Sequence, residues 1–315
     1  MKINFGSFSF GLGKANCKAN TRHGSTREFR EDRSLASEMT HEHGVLIRYD
    51  FQGKLWITMR SPKMIPASRS YDVSVSTVAS ESEDPGTGLG ADGNVSSAPD
   101  ISEALRQQMA LRSKVDIANS LATMPELVAG LDVSYEAGTR RVAAVAIVME
   151  SRTLEVREIS VVHGDVHFPY VPGLLAFREV PILLEALENL ACQPDVLVCD
   201  GYGIAHPRRF GLASHMGVLT GLPSFGVAKS PFVGTFSEPG ERRGGWSPLA
   251  EDGETLGRVL RTQTGIRPVF VSVGHRISLD QATDLTLTLS RRYRIPEATR
   301  QADILSREAL RKLRE

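Results

Sequence analysis

An α/β fold, a mixed sheet flanked by helices, is what this 315-residue sequence predicts, and three observations carry the prediction. Three β-branched-rich runs, at residues 127–135, 142–149 and 154–162, follow one another at short spacing, as in an antiparallel meander. An amphipathic helix comes next. Strands and helices then alternate to the end, an order closer to the ribonuclease H-like arrangement than to a doubly wound nucleotide fold. The glycines agree. Gly201 and Gly203 open a loop after a strand, but GYGIAH lacks both the third glycine of a dinucleotide site and the Lys-Ser/Thr pair of a P-loop.

Taken in order, residues 1–100 differ in texture from the remainder. No basic residue lies between Arg69 and Arg106, where Glu81, Glu83, Asp84, Asp92 and Asp100 sit among Ser, Gly, Pro and Ala. Such a composition buries too little apolar surface to offset the entropy of ordering it. An N-terminal extension, largely disordered and carrying an isolated hairpin of residues 45–49 and 54–59, is therefore expected. Residues 101–315 are expected to form the folded domain.

A helix over residues 101–120 leads into the meander. In the following helix Val180, Leu183, Leu184, Leu187 and Leu190 form an apolar stripe that should lie against the sheet. Pro181 either opens that helix or kinks it just after Glu179. Residues 196–199 are wholly apolar, as in a buried central strand, and the loop at its carboxyl end starts with Asp200 and Gly201. Further strands are expected at residues 224–228 and 269–273, with helices at 211–219, 280–292 and 296–314. Residues 237–254, rich in Gly, Pro and charge, read as a surface loop.

Composition limits the functional classes. The 37 basic and 37 acidic residues cancel, so any site for a polyanion must be a local cluster. No run approaches the roughly 20 apolar residues that span a bilayer. The first residues lack the apolar core of a secretory signal, and Glu28, Glu31 and Asp32 are unlike an organelle transit peptide, so a cytoplasmic setting without membrane attachment is expected. Cys17, Cys192 and Cys199 have no zinc-ligand spacing and are odd in number; free thiols are expected.

Asp132, within LVAGLDVSY, and Asp200, closing VLVCD, are carboxylates set among apolar strand residues, where desolvation demands a partner. For Asp132 that partner is either a turn or arginine, or a bound cation; Asp200 either caps its turn or joins the same site. Glu179 stands four residues before Leu183, near the core-facing stripe, although a lone helical glutamate ordinarily faces solvent. Together, two strand-borne aspartates and a helix-borne glutamate suit a hard cation bound through oxygen. Such an ion orients phosphate and activates water, which points to phosphodiester chemistry.

Around these residues stand AGLDVSY, PYVPGLLAFREVP, VCDGYGIAHPRRFGLASHMGVLTGLP, FGVAKS, VGHRISL and RIPEATRQADILSRE. In that order they resemble the endonuclease V family over roughly Leu127 to Glu308, several long motifs being far more specific than one short one. The resemblance implies metal binding by Asp132, Glu179 and Asp200, with Mg²⁺ as cofactor and Mn²⁺ as its substitute. Asp303 matches an acidic or histidine position that completes the site, and His206 and Lys229 match residues beside the scissile phosphate. His275 has similar chemistry and a less defined role. Tyr170 matches the aromatic wedge that fills the space left when a damaged base leaves the stack. Gly173, Leu175, Gly201 and Ile204 match the shallow hypoxanthine pocket, where small residues let backbone amides approach the base. Arg208 and Arg209 are candidates for phosphate contacts.

The resulting expectation is a monomeric endonuclease that recognises deoxyinosine in DNA and cuts 3′ to the lesion, leaving 3′-hydroxyl and 5′-phosphate ends. Its rivals are an inosine-specific endoribonuclease, another ribonuclease H-like DNA nuclease, and a silent nucleic-acid-binding protein, the last disfavoured by the retained carboxylates.

Overall fold

In the computed structural model, residues 45–49, 55–59 and 101–313 are described. Strands β1 (Val45–Tyr49) and β2 (Leu55–Met59) precede helix α1 (Ile101–Arg112). The meander follows as β3 (Leu127–Tyr135), β4 (Arg141–Glu150) and β5 (Val156–Asp165), and then helix α2 (Leu175–Glu188). Next come β6 (Val196–Cys199), α3 (Leu212–Thr220), β7 (Ser224–Ala228), β8 (Trp246–Glu251), β9 (Glu254–Leu260) and β10 (Val269–His275). Helices α4 (Leu279–Leu289) and α5 (Glu297–Lys312) complete the order.

The strands form one mixed sheet in the order β2-β1-β5-β4-β3-β6-β7-β10-β9-β8. β3, β4 and β5 pair antiparallel, as the meander requires, while β3, β6 and β7 run parallel side by side. Alternation of side chains across the pleat divides the core in two. On one face Val128, Val145, Ile147, Val198 and Phe225 pack under Leu285 of α4 and Ala298 and Ala302 of α5. On the other, Ala129, Leu131, Leu197 and Cys199 pack under Val180 and Leu183 of α2 and Ala213 and Met216 of α3. β3, β6 and β7 are covered on both faces, which explains their near-continuous apolar sequences. At Gly130 a Cβ would lie 2.3 Å from the Ala298 carbonyl carbon, so only glycine lets α5 come down this closely on β3.

Several expectations are corrected. Helix α1 stops at Arg112 instead of reaching residue 120, because Asp116 turns the chain: its carboxylate accepts from the Ala118 and Asn119 amides, and its own amide donates to His275 Nδ1 at 3.1 Å. Of the two readings of Pro181, only the one that has it open the helix is excluded, since it lies inside α2, between the buried Val180 and Ile182. Residues 237–254 are not all loop, since β8 and β9 form an antiparallel hairpin there; Pro248 is tolerated because β8 is the edge of the sheet. The β1–β2 hairpin is not isolated: Leu46 and Ile47 pair with Ser160 and Ile159 of β5. The expected disorder of the remaining N-terminal residues lies outside the described residues. Cys199 is a free, buried thiol, whereas Cys192 is disulfide-bonded, since an odd count of cysteines does not forbid one pair. Among the described residues no helix is long and apolar enough to cross a membrane.

Candidate active site

The carboxyl ends of the parallel strands collect the candidate residues. β3 and β6 are in register up to Leu131 opposite Cys199, so Asp132 and Asp200 occupy the next positions of adjoining strands. Lys229 directly follows β7, the third strand of the parallel set, and its Nζ lies 2.5 Å from Asp200 Oδ2. Crevices at strand carboxyl ends are where open α/β sheets place their ligands.

The pleat sends the remaining partners to opposite faces. Asp132 shares the parity of Gly130 and Ser134 and so faces α5, where Ser306 Oγ donates to Asp132 Oδ2 at 2.8 Å and lies 2.7 Å from Ser134 Oγ. Asp303, one turn earlier on α5, pairs with Arg307 at 2.7 Å. Tyr135 has the parity of Leu131 and faces α2, where its hydroxyl donates to Glu179 Oε1 at 2.8 Å. The Arg178 guanidinium lies over the Tyr135 ring, 4.6 Å from its centroid. Glu179 is only 7% exposed, which removes the reading of a solvent-facing helical charge.

The electrostatics bind these groups into one unit. Burial pushes the Asp132 carboxyl up to about 6; its Ser306 hydrogen bond opposes this, and the neighbouring charges of Asp200 and Asp303 add to it. Burial lifts Glu179 to about 8, with Tyr135 opposing and Asp132 and Asp200 reinforcing. Burial also raises the Tyr135 phenol, helped by the Glu179 charge. Burial works against the Lys229 ammonium, but Asp200, Asp303 and Asp132 outweigh it and hold the amine above its ordinary range. Asp132 thus senses Asp200 and Asp303, and Glu179 senses Asp132 and Asp200, with Lys229, Arg178 and Arg307 the neighbouring cations.

Among the described residues no three His, Cys, Asp or Glu side chains are gathered closely enough to hold a metal ion as they stand. Each carboxylate is instead held by its own neighbour: Asp132 by Ser306, Glu179 by Tyr135, Asp200 by Lys229 and Asp303 by Arg307. The donor chemistry nonetheless fits a hard divalent cation, being all oxygen and carrying buried negative charge that favours either protonation or a counter-ion. A cavity of ≈ 480 Å³, lined in part by Ser134, Tyr135, Asp303 and Arg307, opens beside the carboxylates.

The loops beyond the strands hold the other candidates. His206, 4% exposed, accepts the Arg208 amide on Nδ1 at 3.1 Å and stacks edge-on to Phe232; burial and the nearby Arg208 charge push it down to about 4, so it is neutral near pH 7. Tyr170 is 69% exposed, not packed away between its prolines. Gly173, with φ +81°, and the half-exposed Leu175 stand at the entry to α2, while Gly201, with φ +146°, and Ile204 lie in the loop after β6. Ile204 is anchored by its amide to the Val273 carbonyl at 2.7 Å. Arg208 spans the two segments, donating from Nη2 to the Gly173 carbonyl at 2.7 Å. Arg209 reaches Glu251 and Glu254 at 2.9 and 2.7 Å. His275 sits apart from the carboxylates, its Nδ1 taken by the Asp116 amide.

Tyr135, Ser306 and Gln108 had no place in the sequence reading. Tyr135 was recoverable in principle, since period-2 alternation from Leu131 puts it on the α2 face; nothing local marks the other two.

Comparison with known proteins bears on this geometry. The Endonuclease V sequence family is matched over residues 109–304. The Endonuclease V of Streptomyces avermitilis is 56% identical over 184 residues, which cover 58% of this chain and 80% of that protein. Its crystal structure superposes with a TM-score of 0.66 at 51% identity, covering 68% of this chain and 95% of that one. A Ciona intestinalis Endonuclease V, solved with a 24mer DNA containing an inosine followed by a ribo-adenosine, superposes with a TM-score of 0.60 at 27% identity, covering 68% and 98%.

Proposed function

The chain belongs to the endonuclease V family, and from that premise we propose that it is a metal-dependent endonuclease of DNA repair that recognises deoxyinosine and hydrolyses a phosphodiester 3′ to it. Water adds to phosphorus, the P–O3′ bond breaks, and the departing 3′ oxygen takes up a proton, leaving 3′-hydroxyl and 5′-phosphate ends. The observation that carries this reading is the gathering of Asp132 of β3, Asp200 just after β6 and the buried Glu179 of α2, faced by Lys229.

The proposed metal is Mg²⁺, with Mn²⁺ as a substitute, held by Asp132, Glu179 and Asp200 and supported by Asp303. A bound divalent cation orients phosphate, acidifies the attacking water and offsets charge on the leaving oxygen. The protein's own groups do the rest. Tyr135 and Ser306 fix the orientations of Glu179 and Asp132, since hydrogen bonds behind a ligand set its direction. Lys229 neutralises charge that builds on the phosphate. His206, kept neutral by its burial and with Nδ1 already taken by the Arg208 amide, places an uncharged imidazole beside the base-receiving loops. Tyr170 enters the base stack, which costs least to open at a mismatched deaminated purine. Gly173, Leu175, Gly201 and Ile204 receive the extruded base, with Arg208 beside them.

Residues 101–315 are proposed as the nuclease domain, and the protein as a cytoplasmic monomer. A second reading, action on inosine in RNA, draws on the ribonucleotide that follows inosine in the Ciona complex. Incubation with Mg²⁺ and matched oligonucleotides, inosine in DNA duplex or in single-stranded RNA, separates the two. The expected result is cutting of the DNA one phosphodiester beyond the lesion; faster cutting of RNA selects the second reading, and no cutting of either overturns both.

A further inference from the structure

Gln108 lies on α1, one residue before the family match begins, and is 1% exposed. Its Nε2 donates to the Gly173 carbonyl at 2.9 Å and to the Phe210 carbonyl at 3.0 Å. Its Oε1 accepts from Arg208 Nε, and Arg208 returns to the same Gly173 carbonyl through Nη2. One amide therefore spends both donors and its acceptor on two segments that lie 65 and about 100 positions away in the chain. A solvent-exposed helix does not bury a glutamine this way unless it is holding something, because an amide out of water has to recover its hydrogen bonds.

What it holds is the frame of the recognition loops. Gly173 is three residues past Tyr170, and its left-handed φ leaves no room for a side chain: a Cβ would lie 2.5 Å from Arg208 Nη2. Phe210 and Arg208 belong to the loop that starts at Asp200 and carries Gly201 and Ile204. Beside the Arg208 guanidinium and the His206 ring, which both meet the Gly173 backbone directly, Gln108 ties the two halves of the base-receiving pocket together from a third element. The carboxylates take no part in this network.

We propose that Gln108 is a positioning residue for lesion recognition, setting the Tyr170 loop against the loop after Asp200 from outside both. This rests on the reading of those loops as the inosine-binding rim. The test compares the full chain with Gln108→Ala and with the near-isosteric Gln108→Glu, which keeps the Arg208 contact and loses both carbonyl contacts. On an inosine-containing DNA duplex each variant is expected to raise KM about tenfold with kcat within about twofold and the half-saturating Mg²⁺ concentration unchanged, because a misplaced rim weakens ground-state binding. Loss of folded protein alone lowers apparent kcat at constant KM, so that pattern in a folded variant, or wild-type kinetics, overturns the proposal. Amide hydrogen exchange gives a readout independent of cutting: residues 170–175 and 204–211 are expected to exchange faster together in either variant, and unchanged exchange in both segments overturns it even if the wild-type protein proves not to cut inosine.

Discussion

The floor and the rim of the site are built differently. The floor, Asp132, Asp200 and Lys229, is placed by three adjacent parallel strands, and its positions follow from strand register. The rim, Tyr170 to Leu175 and Gly201 to Arg208, lies in loops set by hydrogen bonds to Gln108, Arg208 and the Val273 carbonyl. The contrast teaches that chemistry and recognition can fail separately. Substitutions on the floor should abolish turnover and spare binding, whereas substitutions on the rim should weaken selection of the damaged base and spare the metal.

Asp132→Asn should have the largest effect, a loss of about 10³-fold or more in kcat, since it removes a charge from the proposed cation site; binding of inosine DNA measured without turnover should change little. If affinity collapses along with kcat, floor and rim are not separable. Tyr135→Phe removes the hydroxyl behind Glu179 and is expected to weaken apparent metal affinity by about tenfold or somewhat more, read from Mg²⁺ titrations of the initial rate. Tyr170→Ala should cost roughly tenfold in kcat/KM, almost all in KM, because a stacked aromatic contributes about 1–3 kcal/mol. A shift of its Mg²⁺ requirement would break the division from the other side.

The smallest expected effect lies beneath both regions. His215 is buried against Phe177 and Phe210, and among the described residues its Nδ1 has no hydrogen-bond partner. Burial pushes it down to about 3 from the ordinary 6.5. A depressed histidine favours the folded state while neutral, so its contribution is complete above about pH 6.5 and is lost as pH falls from there toward 3, at about 1.4 kcal/mol per pH unit. His215→Phe should flatten the acid side of the urea-unfolding profile between about pH 6.5 and 5 relative to wild type. An identical profile would show that another group, such as the similarly depressed His206, dominates.

The two aspartates of the floor were legible in the sequence because they obey periodic rules. β3, β6 and β7 are buried on both faces and so announce themselves as apolar runs, with Asp132 and Asp200 conspicuous as charges in or just after them. The hairpin of β8 and β9 was hidden for the opposite reason: an edge strand with Pro248 and exposed positions looks like loop until its partner is known. The length of α1 was overestimated because the turn at Asp116 is fixed by His275, 159 positions away. Tyr170, His206 and Lys229 were singled out only through resemblance to a family, since no period marks a loop. Gln108 and Ser306 escaped altogether, as polar residues in helices whose partners are distant in sequence.

The alternation along β3 has a further consequence. Asp132 and Ser134 face α5 while Tyr135 faces α2, and every one of these assignments depends on odd and even numbering along a single strand. Inserting or deleting one residue upstream in β3 would turn the whole set over at once, sending the aspartate toward α2 and the tyrosine away from its glutamate. The carboxylate floor has no tolerance for a change in count, so its inheritance is of spacing as much as of residues.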